Sequence, residues 1–482
     1  MVGQSKKYGN IFEQWSLRAS PFGVEALRCD ERGERLLKGR DDDIEDVMHK
    51  LHREGRITCI DGQFGVGKTS LVNVAVFRCM RAFKRGETNQ LLLPVAETFQ
   101  ISEDVDVDNF VKGVLVAVVA SIRQHEKLLQ PICDTTGFSD FHRLLSQPVL
   151  KLESGDVSNS ATLGVLGVAT WTSGGKGSTT ESPNNTDAFV NAGFESEVKK
   201  LLGHLFTSVG GGVVCIIDNI ELLETANKAR KTLELLRDRL LTVRGLRWVF
   251  CGANGVIHSL ASSPRLSAFL YTPVIELKNV RTGDLREVVR SRVEEYSIKP
   301  ETTLQALPFG FQQIEWLYEV LNFNLRDLLS HLEQYCDHVN RNRIQVHSSV
   351  KDALFRRWVQ QFGEFHYKDV SARISKNAWL VLDAAMSDEF RGTFNASHFV
   401  EFNRNSKVPM TEDTYRRWLR DLKRYDILSQ SIPEDVGEER TERELETYNV
   451  TSKGALVFYY RHCVQQSLTI SEHQHWMRRI AR

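Results

Sequence analysis

The sequence predicts an α/β protein: a parallel sheet covered by helices, then a helical lid and a C-terminal module of three helices and two strands. Three observations predict it. A glycine-rich loop, Gly62-Gln63-Phe64-Gly65-Val66-Gly67-Lys68-Thr69, lies between an apolar strand and a helix. A second apolar run, Val213-Val214-Cys215-Ile216-Ile217, ends on a lone acid, Asp218. Strand and helix patterns alternate up to about residue 280 and then give way to helices alone, the mark of a covered parallel sheet followed by a separate helical unit.

Taken in order, Asp41 to Leu51 carries Ile44, Val47, Met48 and Leu51 at helical spacing, with Asp41 as the expected N-cap. Arg56 to Ile60 reads as a buried strand leading into the glycine loop, and Ser70 to Phe83 as the helix after it. Leu91 to Ile101 is a strand and Asp108 to Leu129 an amphipathic helix. From Ser154 to Gly193 the chain turns to Ser, Gly, Thr and Asn, a composition that suits a flexible insertion. Glu195 to Val209 (helix), Gly212 to Ile217 (strand), Leu233 to Thr242 (helix) and Leu246 to Gly252 (strand) complete the alternation. Asp284 to Tyr296, Gln312 to Leu321 and Leu325 to Val339 are the expected lid helices. The expected division is a core over 1–280 with its insertion at 154–193, a lid over 281–345, a connector over 346–370 and a last domain over 371–482.

Composition narrows the function. With 482 residues the chain exceeds one compact core. Lys plus Arg equals Asp plus Glu at 62 each, so any nucleic-acid contact has to come from a local patch. No run is long and apolar enough for a membrane span and the first residues do not resemble a signal peptide, so a cytoplasmic protein is expected. The eight cysteines show no metal-ligand spacing and read as small buried hydrophobes.

The chemistry lies in the loop and the acid. The pattern GxxxxGK[ST] between strand and helix is a phosphate cradle: glycines let successive N–H groups of Gly62, Gln63, Phe64, Gly65, Val66, Gly67, Lys68, Thr69 and Ser70 turn inward at the positive end of the next helix. Lys68 is expected on the β- and γ-phosphates of ATP, with Thr69 and Asp218 holding Mg²⁺. Asp218 sits at the C-terminal edge of its strand, where open α/β sheets bind ligands. The residue after it is Asn219, and Glu221 is the candidate for orienting the attacking water.

These motifs resemble AAA+ ATPases of the origin-recognition and replication-initiator type, and related bacterial ATPases of mobile elements and antiviral defence. The resemblance covers about residues 20 to 340. It implies that Arg40, in Leu37 to Asp42, packs near the adenine. Asn254, after the strand Arg247 to Gly252, would be a polar sensor. Arg265 would be a finger reaching a neighbouring subunit's γ-phosphate, and Arg326, at the start of a lid helix, a second contact to γ-phosphate. The family commonly places Glu directly after the strand acid; Asn219 departs from this and puts unaided hydrolysis in doubt. The resemblance leaves open an ATP-driven switch or assembly platform working as a homo-oligomer or with a partner protein, an ATP-licensed DNA-binding regulator, and a signalling scaffold with little turnover.

The last domain has a winged-helix pattern. Ser375 to Met386, Asn395 to Phe402 and Thr411 to Tyr425 read as helices, and Ile427 to Gln430 and Thr447 to Val450 as the strands of a wing. Arg416, Arg417, Arg420, Lys423 and Arg424 make one side of the third helix basic, as a DNA contact would require. The loop between the strands carries Glu434, Asp435, Glu438, Glu439, Glu442, Glu444 and Glu446, which would repel phosphates and suit a protein partner or self-inhibition.

Overall fold

The computed structural model describes residues 10–101, 105–130, 193–220, 226–253, 255–261, 264–299, 304–387, 389–405, 410–431 and 447–464. The insertion expected at 154–193 (apart from Gly193), Glu221, Asn254 and the acidic loop of the wing lie outside them.

Five parallel strands form the main sheet: β1 (Thr58–Asp61), β2 (Leu91–Gln100), β3 (Gly211–Asp218), β4 (Leu246–Gly252) and β5 (Ile275–Glu276), in the order β2-β3-β4-β1-β5. β4 therefore lies between the strand that leads into the glycine loop and the strand that ends on Asp218, pairing Cys59 with Phe250 and Cys215 with Trp248. Pro94, which has no N–H to give a central ladder, falls in β2 at the sheet edge, where the register shifts between Pro94 and Thr98.

Strand periodicity sorts the core into two layers. Val213, Cys215 and Ile217 of β3 and Trp248 and Phe250 of β4 pack with Val114, Val118 and Leu202 on one face. Val214, Ile216, Val249 and Cys251 pack with Ile44, Val47, Leu71 and Ala75 on the other. The second face holds the helix Asp41–Leu51 and the long helix Lys68–Lys84, whose first residue is the loop lysine. Asp41 is the first residue of its helix, not its cap. Arg40 holds the cap position without a side-chain capping bond, and Asp41 Oδ1 accepts instead from Arg78 Nη2 at 2.8 Å.

The lid contains helices Thr282–Tyr296, Phe311–Val320 and Leu325–Arg341. Its core also takes in Phe12, Leu17 and Phe22, so the first described residues pack into the lid. Burying three such side chains contributes on the order of 5 kcal/mol before ordering costs. This N-terminal strap is tied by Arg18 N to Tyr296 O at 2.8 Å and Ile298 N to Ser16 O at 2.9 Å. It then crosses to the P-loop helix, where Leu27 N donates to Ser70 Oγ at 3.0 Å and Asn73 Nδ2 to Leu27 O at 2.8 Å.

The segment expected as a connector is a long helix, Lys351–Ser371. Its Phe355, Trp358 and Val359 pack in the lid core and its Val370 in the C-terminal core, so it belongs to both. The C-terminal module has helices Trp379–Ala385, Phe399–Asn405 and Glu412–Arg424. Its sheet has three antiparallel strands, β6 (Thr393–Asn395), β7 (Leu428–Ser431) and β8 (Thr447–Val450), in the order β6-β8-β7. β6 was not expected: the predicted second helix started at Asn395, whereas Thr393–Asn395 pair with β8 and the helix begins at Phe399. No helix among the described residues is long and apolar enough to cross a membrane.

Candidate nucleotide cleft

The glycine loop and the lid face each other across a cleft of about 840 Å³, counted out to its open mouth. One end is lined by Phe64 to Ser70, Asp218, Asn219 and Arg326; the other by Gly23 to Leu27, Leu36, Leu37, Lys38, Arg40, Val280, Val288 and Arg292. The first end is polar and rich in backbone N–H; the second sets an apolar wall of Val24, Ala26, Leu36, Leu37, Val280 and Val288 beside the charged Glu25, Lys38, Arg40 and Arg292.

At the polar end, Gly67 caps the P-loop helix with φ +99°, a conformation that L side chains rarely adopt. Lys68 is buried, and its ammonium donates to Gly62 O at 2.8 Å and Gln63 O at 3.2 Å, which holds it across the mouth of the loop. Thr69 Oγ1 donates to Asp218 Oδ2 at 2.6 Å. Asp218 Oδ1 accepts from the N–H of Asn219 at 2.9 Å, with Asn219 at φ +56°. The hydroxyl and the carboxylate, distant in sequence, therefore meet where a divalent cation on the terminal phosphates would sit. Residues present fit ATP and Mg²⁺: a cradle of N–H groups at a helix N-terminus, an ammonium, and an oxygen pair for the ion.

The lid reaches this end directly. Asn324 caps the helix Leu325–Arg341 by accepting from Asp327 N, and its Nδ2 donates to Phe64 O at 3.2 Å. Gly65, at φ +77°, lies so close to the lid that an added Cβ would stand 2.7 Å from Arg326 Cβ and 2.8 Å from Asn324 Oδ1. Arg326, whose Cβ stands against Gly65, is exposed. Asn324 was not singled out from the sequence; its place as cap before the lid helix was the available signal. The preceding turn holds Asn322 and Phe323 at φ +53° and +60°, and Asn322 Nδ2 donates to Val450 O of β8 at 2.9 Å. One turn thus touches both the glycine loop and the C-terminal sheet.

Other expected residues fall differently. Ser70 lines the cleft, but its hydroxyl accepts from the strap. Arg40 also lines the cleft, yet its guanidinium is taken up by Asp43 at 3.2 Å and by Lys278 O. Arg265 lies outside the cleft of its own chain, exposed, with Glu234 Oε2 at 3.9 Å. Glu221 and Asn254 lie outside the described residues. On the C-terminal module, Arg417, Arg420, Lys423 and Arg424 are exposed on helix Glu412–Arg424, while Arg416 is half-buried and pairs with Glu412 at 2.8 Å.

A phosphate loop after β1, an acid closing β3, β4 between them, a helical lid and a C-terminal module of helices and a three-stranded sheet make up the α/β fold expected from the sequence. No family profile matches the chain, and no curated protein does. Among solved structures it is similar to the Aeropyrum pernix ORC2 protein in ADPNP–ADP complexes, at 12% identity over 91% of this chain and 97% of that one, TM-score 0.42. It is also similar to the Aeropyrum pernix ORC1 protein in complex with DNA, at 13% identity over 90% and 95%, TM-score 0.39. A third is Cdc6p from Pyrobaculum aerophilum, at 10% identity over 93% and 98%, TM-score 0.36.

Proposed function

We propose that the chain is an ATP-operated switch, in which nucleotide bound between glycine loop and lid sets the position of the lid and, through it, of the C-terminal module. The observation that carries this reading is the meeting of Thr69 and Asp218 at 2.6 Å beside a lid whose Asn324 is bonded to the loop. The loop amides and Lys68 would hold the β- and γ-phosphates, Thr69 and Asp218 the ion, and Arg326 the γ-phosphate from the lid side. Bound Mg²⁺ would supply positive charge that stabilises the terminal phosphates. Hydrolysis breaks the bond between the γ-phosphorus and the bridging oxygen and passes a proton from the attacking water to an acceptor. An amide is no such acceptor, so with Asn219 next to Asp218 the isolated chain turns over slowly, and Glu221 is the proposed base. Functionally the chain divides as 1–280 (core, its strap packed in the lid), 281–345 (lid), 346–370 and 371–482 (winged helix).

Arg265, exposed and outside the lining of its own cleft, is proposed to act on the nucleotide of a second copy. Unchanged hydrolysis and unchanged ATP-dependent assembly in Arg265→Ala would remove that role.

A DNA-binding reading of the C-terminal module is favoured by one observation: Arg417, Arg420 and Arg424 are exposed at helical spacing on one stripe. The test of both readings is ATP binding and steady-state hydrolysis, with and without duplex DNA, against Lys68→Ala. The switch reading expects ATP binding in the wild type, a loss of at least about a hundredfold in affinity in the variant, and slow turnover. Salt-sensitive acceleration by DNA would support the DNA reading. No ATP binding by the wild type would sink both.

A further inference from the structure

Of the charged residues at the apolar end of the cleft, Glu25, Lys38, Arg40 and Arg292, only Arg292 comes from the lid, and the scheme above does not use it. Arg292 lies on the lid helix Thr282–Tyr296, on the face that buries Leu285, Val288, Val289 and Val293, and it is only 8% exposed. Its Nη1 donates to Gly23 O at 3.0 Å and lies 3.5 Å from Pro21 O. Among the described residues Nε is covered without any acceptor, and no carboxylate stands within ion-pair distance of the group. Burial pushes its pKa below the ordinary arginine value, with only Tyr296 opposing. A guanidinium kept in an apolar wall with donors to spare is costly, since desolvating an ion without a counter-charge costs several kcal/mol. Surface arginines of the same helix are handled differently: Arg290 is exposed and pairs with Glu287 at 2.6 Å.

Arg292 lines the cleft. With phosphates seated on Gly65 to Ser70, the base of a nucleotide would run toward the opposite wall, formed by Val24, Ala26, Leu36, Val280 and Val288. Apolar side chains there can cover the faces of a flat ring but cannot satisfy its edge. An edge needs hydrogen-bonding partners, and Arg292 is the cation of the lid placed on that wall.

We propose that Arg292 is the base-reading residue of the cleft, donating from its guanidinium to a ring nitrogen of the bound purine while its Nη1 keeps the strap carbonyls in place. The inference rests on the nucleotide reading of the cleft. It makes base recognition a property of the lid. Closing the lid would bring Arg326 to the phosphates and Arg292 to the base in one movement, and the strap would follow because Gly23 hangs on the same guanidinium.

The experiment is equilibrium binding of ATP and of its 1-deaza, 3-deaza and 7-deaza analogues, each replacing one ring nitrogen by CH. It is run on the wild-type chain, Arg292→Met and Arg292→Lys. In the wild type, one analogue should bind about tenfold more weakly than ATP, the scale of a hydrogen bond to a charged donor. In Arg292→Met that analogue and ATP should bind alike, and Arg292→Lys should keep part of the discrimination. Two outcomes overturn the proposal: the wild type binds all three analogues as it binds ATP; or the methionine variant keeps the wild-type penalty, weakening ATP and every analogue by one common factor at most, as a purely structural clamp on Gly23 would. The wild-type series stands even if Arg292→Met fails to fold. A wild type that binds no ATP at all instead removes the nucleotide reading itself, and this inference with it.

Discussion

At its polar end the cleft is made mainly of consecutive residues, Phe64 to Ser70, with Asp218 and Asn219 added from the next strand but one and Arg326 from the lid. At its apolar end the wall comes from three places in the chain: the strap around Gly23 to Leu27, the segment Leu36 to Arg40, and the lid residues Val280, Val288 and Arg292. The two ends answer different chemical demands. Phosphates need many N–H groups converging on a small volume, which only a contiguous loop of special backbone geometry supplies. A base needs flat apolar cover and one or two donors, which any packed elements can supply once the fold has brought them together. The polar end is therefore fixed by local sequence and the apolar end by tertiary packing, so changes at the two ends should fail in different ways.

The largest effect is expected at the polar end, where the chain departs from its expected pattern. Asn219 is left-handed and bonded through its N–H to Asp218, so a glutamate there would sit beside the ion site. Asn219→Glu should raise steady-state turnover by roughly a hundredfold if a missing proton acceptor limits hydrolysis. The left-handed backbone should cost the variant about 1 kcal/mol in stability. Turnover unchanged in a folded Asn219→Glu that still binds ATP would mean that the base is elsewhere, with Glu221 the first residue to test.

A second change joins the two ends. Gly65 is the point where loop and lid nearly touch, and an added Cβ would meet Arg326 and Asn324 below 3 Å. Gly65→Ala should push the lid off the loop, breaking the Asn324–Phe64 bond and lowering ATP affinity about tenfold, at a stability cost of about 1–2 kcal/mol. If the lid carries the base contact, base discrimination among deaza analogues should shrink in the same variant. Weakened affinity with discrimination intact would show that the ends act separately.

The same contrast explains what the sequence revealed. The P-loop, Asp218 and the strand–helix alternation were readable because each depends on residues a few positions apart. β6 was missed because three residues, Thr393-Phe394-Asn395, carry no periodicity, and only their pairing with β8 makes them a strand. Helix Lys351–Ser371 lies in the stretch expected as a connector; Phe355, Trp358, Val359 and Phe362 carry helical spacing there, but only packing shows that the helix enters the lid core. Arg292 did leave a trace: Leu285, Val288, Val289 and Val293 mark a buried stripe, and Arg292 falls inside it. A charge in a buried stripe is a stronger signal than the solvated arginines on either side. Arg40 shows the converse, since its motif suggested a ligand contact while the fold gives its guanidinium to Asp43 and Lys278.

The smallest effect concerns the lid as a single body, which both ends require if Arg292 and Arg326 are to arrive together. His331, deep in the lid, gives Asp327 O a 2.7 Å partner at Nδ1 and packs edge-on to Phe362 and near Trp358 of helix Lys351–Ser371. Burial lowers its pKa from the usual 6.5, opposed by the Asp327 carbonyl and carboxylate; His366, on the facing helix, is lowered by burial and by Lys453. The folded lid thus holds His331 neutral while the unfolded chain protonates it. Its contribution is complete above pH 6.5 and is lost as pH falls toward the lowered folded value. Between pH 7 and 5 the melting temperature should fall less steeply in His331→Leu than in the wild type, as thermal melts at several pH values would record. An equal slope in both would mean that His331 is not the group that loosens the lid in acid. An equal slope also in the double variant with His366→Leu would place the acid-sensitive step outside the lid altogether, leaving its rigid-body movement independent of pH.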